Sequence, residues 1–202
     1  IFAQSASISE QDRALLETIS KNSFQYFINF TDRSTGLTRD SSQPGSPASI
    51  SATGFYLASL GIAREKGWLT KDEAYRRARL SLLTALNRAA HSHGFFYHFL
   101  NPRTAKRAWA SEASSIDTAI FIAGALYAGE VFKGTEVEKL AGQIYDRVDW
   151  DWMTNGRYLL SHGWKPEKGF LPHYWDMYSE HLILQALALG ASKHPVSSEV
   201  WK

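Results

Sequence analysis

Six segments carry apolar residues at helical spacing, and neighbouring segments differ in character. The pattern predicts helices over about residues 10–31, 51–66, 70–93, 115–132, 135–148 and 179–190. The first, third and fifth are amphipathic and carry most of the charge. The second, fourth and sixth are apolar nearly all round, as Ile120–Tyr127 shows. Because a helix that is apolar on every side is buried on every side, the even helices should form an inner layer and the odd ones an outer layer.

The ends of these segments carry helix-capping signals. Ser9 should cap the first helix, and Gly67 should stop the second. Two capping boxes, Thr70–Glu73 and Thr135–Glu138, should open the third and fifth helices.

The connections also alternate, because long loops lead into the even helices and short ones leave them. The predicted starts of the even helices, Ser51, Ser115 and Ser179, are 64 residues apart. All three long loops should therefore lie at one end of the bundle, with room for short β-hairpins. Such inner and outer helix pairs predict an all-α fold of the (α/α)6 toroid type. A closed toroid at this spacing needs about 384 residues, so three hairpins would make half of one. A closed three-pair arc or a dimer of arcs stays open as an alternative. Residues 195–202 predict the start of a further helix, as expected for a longer polypeptide.

Composition excludes several classes of protein. With 22 Lys and Arg against 20 Asp and Glu, the net charge of +2 argues against a nucleic-acid partner. The apolar runs are too short for a membrane span, and without cysteine there is no disulfide, thiol nucleophile or Cys-ligated zinc. Residues 1–8 predict either the end of a signal peptide, which implies a periplasmic or secreted protein, or an ordinary frayed terminus.

Aromatic residues and carboxylates share the long loops. The chain has 7 Trp, 9 Tyr and 11 Phe, and aromatic rings stack on the flat C–H faces of sugars. Glycoside hydrolysis needs one carboxylic acid to protonate the leaving oxygen and a second carboxylate to act on water or the anomeric carbon. The candidate carboxylates are Asp40, Glu112, Asp117, Asp176 and Glu180.

Each carboxylate also has a structural interpretation. Asp117 and Glu180 should lie in first helical turns, where the helix dipole favours any acid. The dipole would lower the pKa of Glu180, so burial would have to raise it again for Glu180 to act as an acid. Glu112 can be a plain surface acid, and Asp40 can pair with Arg39. The histidines match no zinc motif, so we predict no metal and no cofactor.

Several motifs, in order along nearly the whole chain, resemble the bacterial glycoamylase-like family, which includes endo-β-1,2-glucanases. They are Ser51–Phe55, Gly94–Phe99, Ser111–Ile120, Ile144–Met153, His162–Trp164, Gly169–Phe170, Tyr178–Glu180 and His194–Pro195. The resemblance implies an (α/α)6 toroid of roughly twice this length and an inverting mechanism. It also implies Glu180 as the general acid, Glu112 and Asp117 at the sugar subsites, and a general base in the second half of the polypeptide.

The leading hypothesis is therefore a glycoside hydrolase acting on a glucan, with β-1,2-glucan as the favoured substrate. The expected catalytic residues are Glu180, Glu112 and Asp117. The expected substrate-binding residues are Arg39, Asp40, His98, Trp109, Trp164, His173, Trp175 and Tyr178. The expected partners are an oligo- or polysaccharide and the second half of the same polypeptide.

Two other classes stay open. One is a glycan-binding protein that uses the same aromatic loops without a working acid and base. The other is a different α/α toroid enzyme, such as a sugar epimerase that pairs His98 with His162 or His173. A terpene-type cyclase would need an Asp-rich motif, which the sequence lacks.

Overall fold

The computed structural model describes residues 8–201 and consists mainly of α-helices. Residues 1–7 of the predicted leader lie outside the described part. The helices are α1 (Glu10–Phe30), α2 (Ile50–Glu65), α3 (Lys71–Asn87), α4 (Ser115–Val131), α5 (Glu136–Asp146) and α6 (Leu182–Gly190). The strands are β1 (Ala48–Ser49), β2 (His91–Ser92), β3 (Phe95–Phe96), β4 (Phe99–Leu100), β5 (Ala113–Ser114), β6 (Gly163–Lys165) and β7 (Gly169–Phe170). Residues Trp152–Thr154 and Ser198–Trp201 form short 3₁₀ helices. The prediction of six helices with small hairpins in the loops is confirmed.

The helix caps form largely as predicted. Ser9 Oγ accepts a hydrogen bond from the Asp12 N–H at 3.1 Å, and Thr70 Oγ1 accepts one from the Glu73 N–H at 3.2 Å. The other predicted bond of the first capping box, from the Thr70 N–H to the Glu73 side chain, is wrong, because the Glu73 carboxylate accepts from Arg77 instead. In the second box, Thr135 Oγ1 accepts from the Val137 N–H, one residue earlier than predicted.

Two predicted helix boundaries are also wrong. Helix α3 ends at Asn87 rather than close to Gly94, because the hairpin of β2 and β3 begins at His91. Helix α6 begins at Leu182 rather than Ser179, and its N-cap residue, His181, makes no side-chain capping bond. The N-cap positions of α2 and α4 are instead occupied by Ser49 and Ser114, whose hydroxyl groups accept from backbone N–H groups of the first turn.

The centre of the fold is the contact between α2 and α4, while α3 and α5 pack outside them. The two central helices meet at glycines so closely that a Cβ on Gly124 would lie 2.0 Å from the Gly54 carbonyl oxygen. The expectation that the apolar helices are buried on every side is wrong, because Phe55 and Ile62 on α2, Tyr127 on α4 and Ile183 on α6 are exposed. No helix within residues 8–201 is long and apolar enough to cross a membrane.

Backbone pairing brings the three long loops together at the N-terminal ends of α2 and α4. Strand β1 pairs with β4, and β5 pairs with β6, which pairs with β7. The Ile50 N–H donates to the His98 carbonyl, and the Ser115 N–H donates to the His162 carbonyl. The prediction that these loops share one end of the bundle is confirmed, and this end carries the candidate site.

Candidate active site

Three predicted residues meet where the second long loop enters α4. His98 lies between β3 and β4, Glu112 immediately precedes β5, and Asp117 lies in the first turn of α4. The His98 N–H donates to the Glu112 carbonyl at 2.9 Å, which fixes the two loop segments side by side. The Ser114 hydroxyl caps α4 and also donates to Asp117 Oδ2 at 2.6 Å, which holds that carboxylate in place.

The imidazole of His98 lies between the two carboxylates. Its Nδ1 is 3.2 Å from Glu112 Oε1 and 3.6 Å from Asp117 Oδ2. The hydrogen bond with His98 holds the pKa of Glu112 below its usual value, against the effect of burial. Burial opposes a charged imidazole, but the bond with Glu112 and the charges of Asp117, Glu112 and Asp40 together raise the pKa of His98. Glu112 is therefore an ionised carboxylate at neutral pH, suited to accept a hydrogen bond from a sugar hydroxyl or a water but not to donate a proton.

His98, Glu112 and Asp117 are also the one group of three acidic or histidine residues in the described chain whose ligand atoms all lie within 4.8 Å of one another. An imidazole and two carboxylates are a donor set that divalent cations accept. The cluster does not require a cation, because His98 Nδ1 already lies within hydrogen-bonding distance of Glu112 and the Ser114 hydroxyl donates to Asp117.

A series of aromatic ring contacts extends from this cluster to an exposed tryptophan. The His98 ring stacks on Phe99 with centroids 3.9 Å apart and planes inclined by 17°, and Phe99 meets Trp109 edge to face at 5.1 Å. Trp109 is 69% exposed. Trp109 and Ala110 both have positive φ, at 55° and 50°, a conformation that non-glycine residues rarely adopt. The loop thus presents an exposed indole that is linked to the carboxylate cluster through the rings of Phe99 and His98, and an exposed aromatic ring is what a saccharide platform requires.

A cavity of about 620 Å³ lies beside the third long loop rather than at the carboxylate cluster. It is lined by Arg157, Tyr158, Leu159, His162, Pro172, His173, Tyr174 and Asp176. Arg157 lies over the Tyr174 ring at 4.5 Å. The His162 and His173 rings are 6.0 Å apart, and burial together with the charge of His173 lowers the pKa of His162. Such a cavity offers polar side chains to the hydroxyls of a sugar and aromatic rings to its flat C–H faces.

Trp175 has a different environment from that of a sugar platform. Its ring stacks on His162 at 4.0 Å and on His181 at 5.6 Å, and its Nε1–H donates to Ser115 Oγ. Glu180, five residues later, is exposed and precedes α6. The expectation that Glu180 lies in the first turn of a buried helix is therefore wrong, because the chain from Asp176 to Glu180 forms turns instead.

The remaining predicted residues are spread over the same end of the fold. Asp40 is exposed, and its charge reaches His98. Arg39 is half-buried, and its carbonyl accepts the hydroxyl of Tyr26. Trp164 packs against Trp152 with centroids at 5.7 Å and is part of the wall of the loop region. Tyr178 is 88% exposed.

Sequence reasoning missed three groups in this region: Arg157, the Tyr174 ring beneath it, and the buried His181. The aromatic density of residues 170–181 marked the segment, but nothing in the spacing shows that Arg157 folds over Tyr174 or that His181 stacks on Trp175.

No protein-family model matches the chain, and no curated protein matches it. Solved structures do match. A candidate glucoamylase from Bacteroides uniformis superposes with a TM-score of 0.87 at 20% identity, over 98% of this chain and 50% of the other. An endo-β-1,2-glucanase from Chitinophaga pinensis, in complex with sophorotriose and glucose, gives 0.80 at 24% identity, over 96% and 50%. A β-1,2-glucanase from Parabacteroides distasonis gives 0.87 at 21% identity, over 98% and 30%.

These comparisons establish the fold. The chain spans about half the length of the first of these structures, and less of the longest. The resemblance to the glycoamylase-like family seen in the sequence motifs is confirmed at the level of the fold.

Proposed function

We propose that this chain belongs to a glycoside hydrolase that acts on a glucan, with β-1,2-linked glucan as the substrate. The observation that carries the proposal is the cluster of Glu112 and Asp117 on the same loop as the exposed Trp109, at the loop end of a fold shared with β-1,2-glucanases. Carboxylates and an exposed aromatic ring on one loop supply both parts of saccharide recognition: hydroxyl acceptors and a stacking face.

The proposed roles of the carboxylates follow from their surroundings. Glu112 accepts hydrogen bonds from sugar hydroxyls, because the hydrogen bond with His98 lowers its pKa and favours its ionised form. Asp117, which is held by the Ser114 hydroxyl, is the second proposed acceptor. Glu180 is the proposed general acid of an inverting mechanism. A carboxylic acid that donates a proton near neutral pH needs a raised pKa, which burial away from water provides. Because Glu180 is exposed in this chain, bound glucan and further protein would have to cover it.

The proposed whole molecule is an (α/α)6 toroid of which this chain supplies half. Two of the matched structures are about twice as long, and exposed apolar side chains such as Phe55, Ile62, Tyr127 and Ile183 are what a half toroid would present to its other half. The proposed general base belongs to that second half. We propose a periplasmic or secreted location, in line with the leader-like start of the sequence.

The test is release of reducing ends from linear β-1,2-glucan by the full-length natural protein. Glu180→Gln should abolish release while leaving the circular dichroism spectrum unchanged. Glu65→Gln, at the C-terminal end of α2 and also exposed, is the matched control and should keep full activity. Near-normal turnover by Glu180→Gln would remove Glu180 from the mechanism, and inactivity of the unmodified protein on every glucan offered would remove the hydrolase proposal.

The exposure of Glu180, away from the hydrogen-bonded carboxylate cluster, favours one alternative: a glycan-binding protein without catalysis. Under that alternative, the full-length protein binds β-1,2-gluco-oligosaccharides in a calorimeter but releases no product on prolonged incubation.

A further inference from the structure

We propose that Trp175 is a positioning residue which, with His181, closes the base of the loop Asp176–Glu180 and so fixes the place of Glu180. This inference rests on the proposed function, and it replaces the expectation that Trp175 is a sugar platform. Trp175 and His181 are six residues apart, and their stacked rings join the two ends of the loop between them.

Two imidazole rings already stack on the Trp175 ring. His162 stacks at 4.0 Å with an interplanar angle of 27°, and His181 stacks at 5.6 Å with an angle of 22°. A pyranose stacks on an open aromatic face. Because Trp175 is partly buried and engaged by both imidazoles, whereas Trp109 is 69% exposed, Trp109 is the residue better suited to bind sugar by stacking.

The edge of the Trp175 ring is fixed as well. Its Nε1–H donates to Ser115 Oγ at 2.9 Å, and the Ser115 hydroxyl donates to the His162 carbonyl at 3.1 Å. The Trp175 backbone N–H donates to the Leu160 carbonyl at 3.0 Å. The first residue of α4 therefore orients the indole, and this anchor lies two residues before Asp117.

The other end of the loop is anchored through His181. This residue is buried, its Nδ1 lies 2.9 Å from Ser179 Oγ, and its carbonyl accepts the Gln185 N–H of α6. Between the two anchors all five residues are exposed, including Met177 at 77% and Tyr178 at 88%. With so little packing of its own, the loop takes its position from the ring stack at its base.

Glu180 is joined to His181 by one peptide bond, so any shift of the stack moves the backbone of Glu180. A displacement of about 1 Å of a catalytic group can cost about 100-fold in rate. Loss of the Trp175 ring should therefore act on turnover rather than on substrate affinity.

The experiment measures kcat and KM for β-1,2-glucan with the full-length protein. Trp175→Ala should lower kcat by about 10–100-fold with KM within about twofold of the unmodified protein. Trp175→Phe keeps an aromatic ring on which the two histidines can stack, and its kcat should be close to that of the unmodified protein. Trp109→Ala, the contrasting variant, should raise KM. A rise in KM with unchanged kcat for Trp175→Ala would overturn the inference.

If Trp175→Ala does not fold, His181→Ala replaces it, and an unchanged kcat in that variant would overturn the inference. The proposed function fails separately, by absence of product from the unmodified protein. In that case backbone hydrogen exchange decides the anchoring role. Exchange of residues 176–180 should be faster in Trp175→Ala than in Trp109→Ala, and equal exchange in the two variants would overturn it.

Discussion

Replacing Gly124 by alanine should destabilise this fold more than a single methyl group usually does. The added Cβ would lie 2.0 Å from the carbonyl oxygen of Gly54 and 2.7 Å from its carbonyl carbon. Carbon and oxygen atoms approach comfortably to about 3.3 Å, so α2 and α4 would have to separate by about 1 Å. The obstacle is backbone at the centre of a helix, and no side-chain rotation relieves it.

The expected cost is about 3 kcal/mol, the upper end of the usual range for overpacking, because the contact between α2 and α4 is the centre of the core. For a domain of this size that lowers the melting temperature by about 6–12 °C. The assay is thermal and urea unfolding followed by far-ultraviolet circular dichroism and tryptophan fluorescence.

Gly142→Ala is the matched control. Gly142 is also helical, in α5, but a Cβ there would meet nothing within 4 Å. Alanine should therefore stabilise by about 0.5–1 kcal/mol through helix propensity alone. If Gly124→Ala unfolds at the same urea concentration as the unmodified chain, or if both variants change stability by the same amount, the close crossing of α2 and α4 is refuted.

Two further predictions concern charged groups in the loops and at the end of α3. The pKa of Glu112 is lowered from its usual value of 4.5, first by the hydrogen bond with His98, and the pKa of His98 is raised from its usual value of 6.5. Their bond therefore contributes fully between about pH 4.5 and 6.5, and its contribution is lost as the pH falls below this window through the lowered pKa of Glu112 or rises above it through the raised pKa of His98. The stability lost in Glu112→Gln, measured by urea unfolding, should be largest in that window, and an equal loss at pH 9 would contradict this. Arg147 donates to the Leu86 carbonyl at the end of α3, so Arg147→Met should cost about 1–3 kcal/mol of stability, whereas Arg76→Met, at an exposed position, should cost little. Burial and then the charge of Arg147 lower the pKa of His91 to about 4. That pKa, titrated by NMR, should rise in Arg147→Met, and an unchanged midpoint would contradict the assigned cause.

The helices were predictable because each depends on local signals. Ser9 and Thr70 cap α1 and α3 through their own side chains, and the apolar periodicity that places α4 in the core lies within 17 residues. The boundaries that failed depend on distant partners. Nothing local shows that His91 pairs with Phe96 in a hairpin and so ends α3 early.

The site was only partly predictable for the same reason. Glu112 and Asp117 were identifiable from their residue type and position before and within the start of α4. Their pairing with His98 depends on the backbone bond that brings two segments of the loop together, 14 residues apart. Trp175 was predicted to bind substrate, but its stacking with two histidines is a tertiary contact that its residue type alone does not indicate.

The chain enters α2 and α4 in the same way, through a short strand and a serine cap, but it enters α6 differently. Helices α2 and α4 each follow a short strand and are capped by a serine, Ser49 and Ser114, with start points 65 residues apart. Helix α6 starts two residues later than this spacing predicts and has neither the strand nor the cap. In place of a strand and a cap, the residues before α6 form the exposed loop Asp176–Glu180. The regular entry to α4 therefore holds both Glu112 and Asp117, while the irregular entry to α6 places Glu180 on a loop whose position we propose is set by ring stacking rather than by a helix cap.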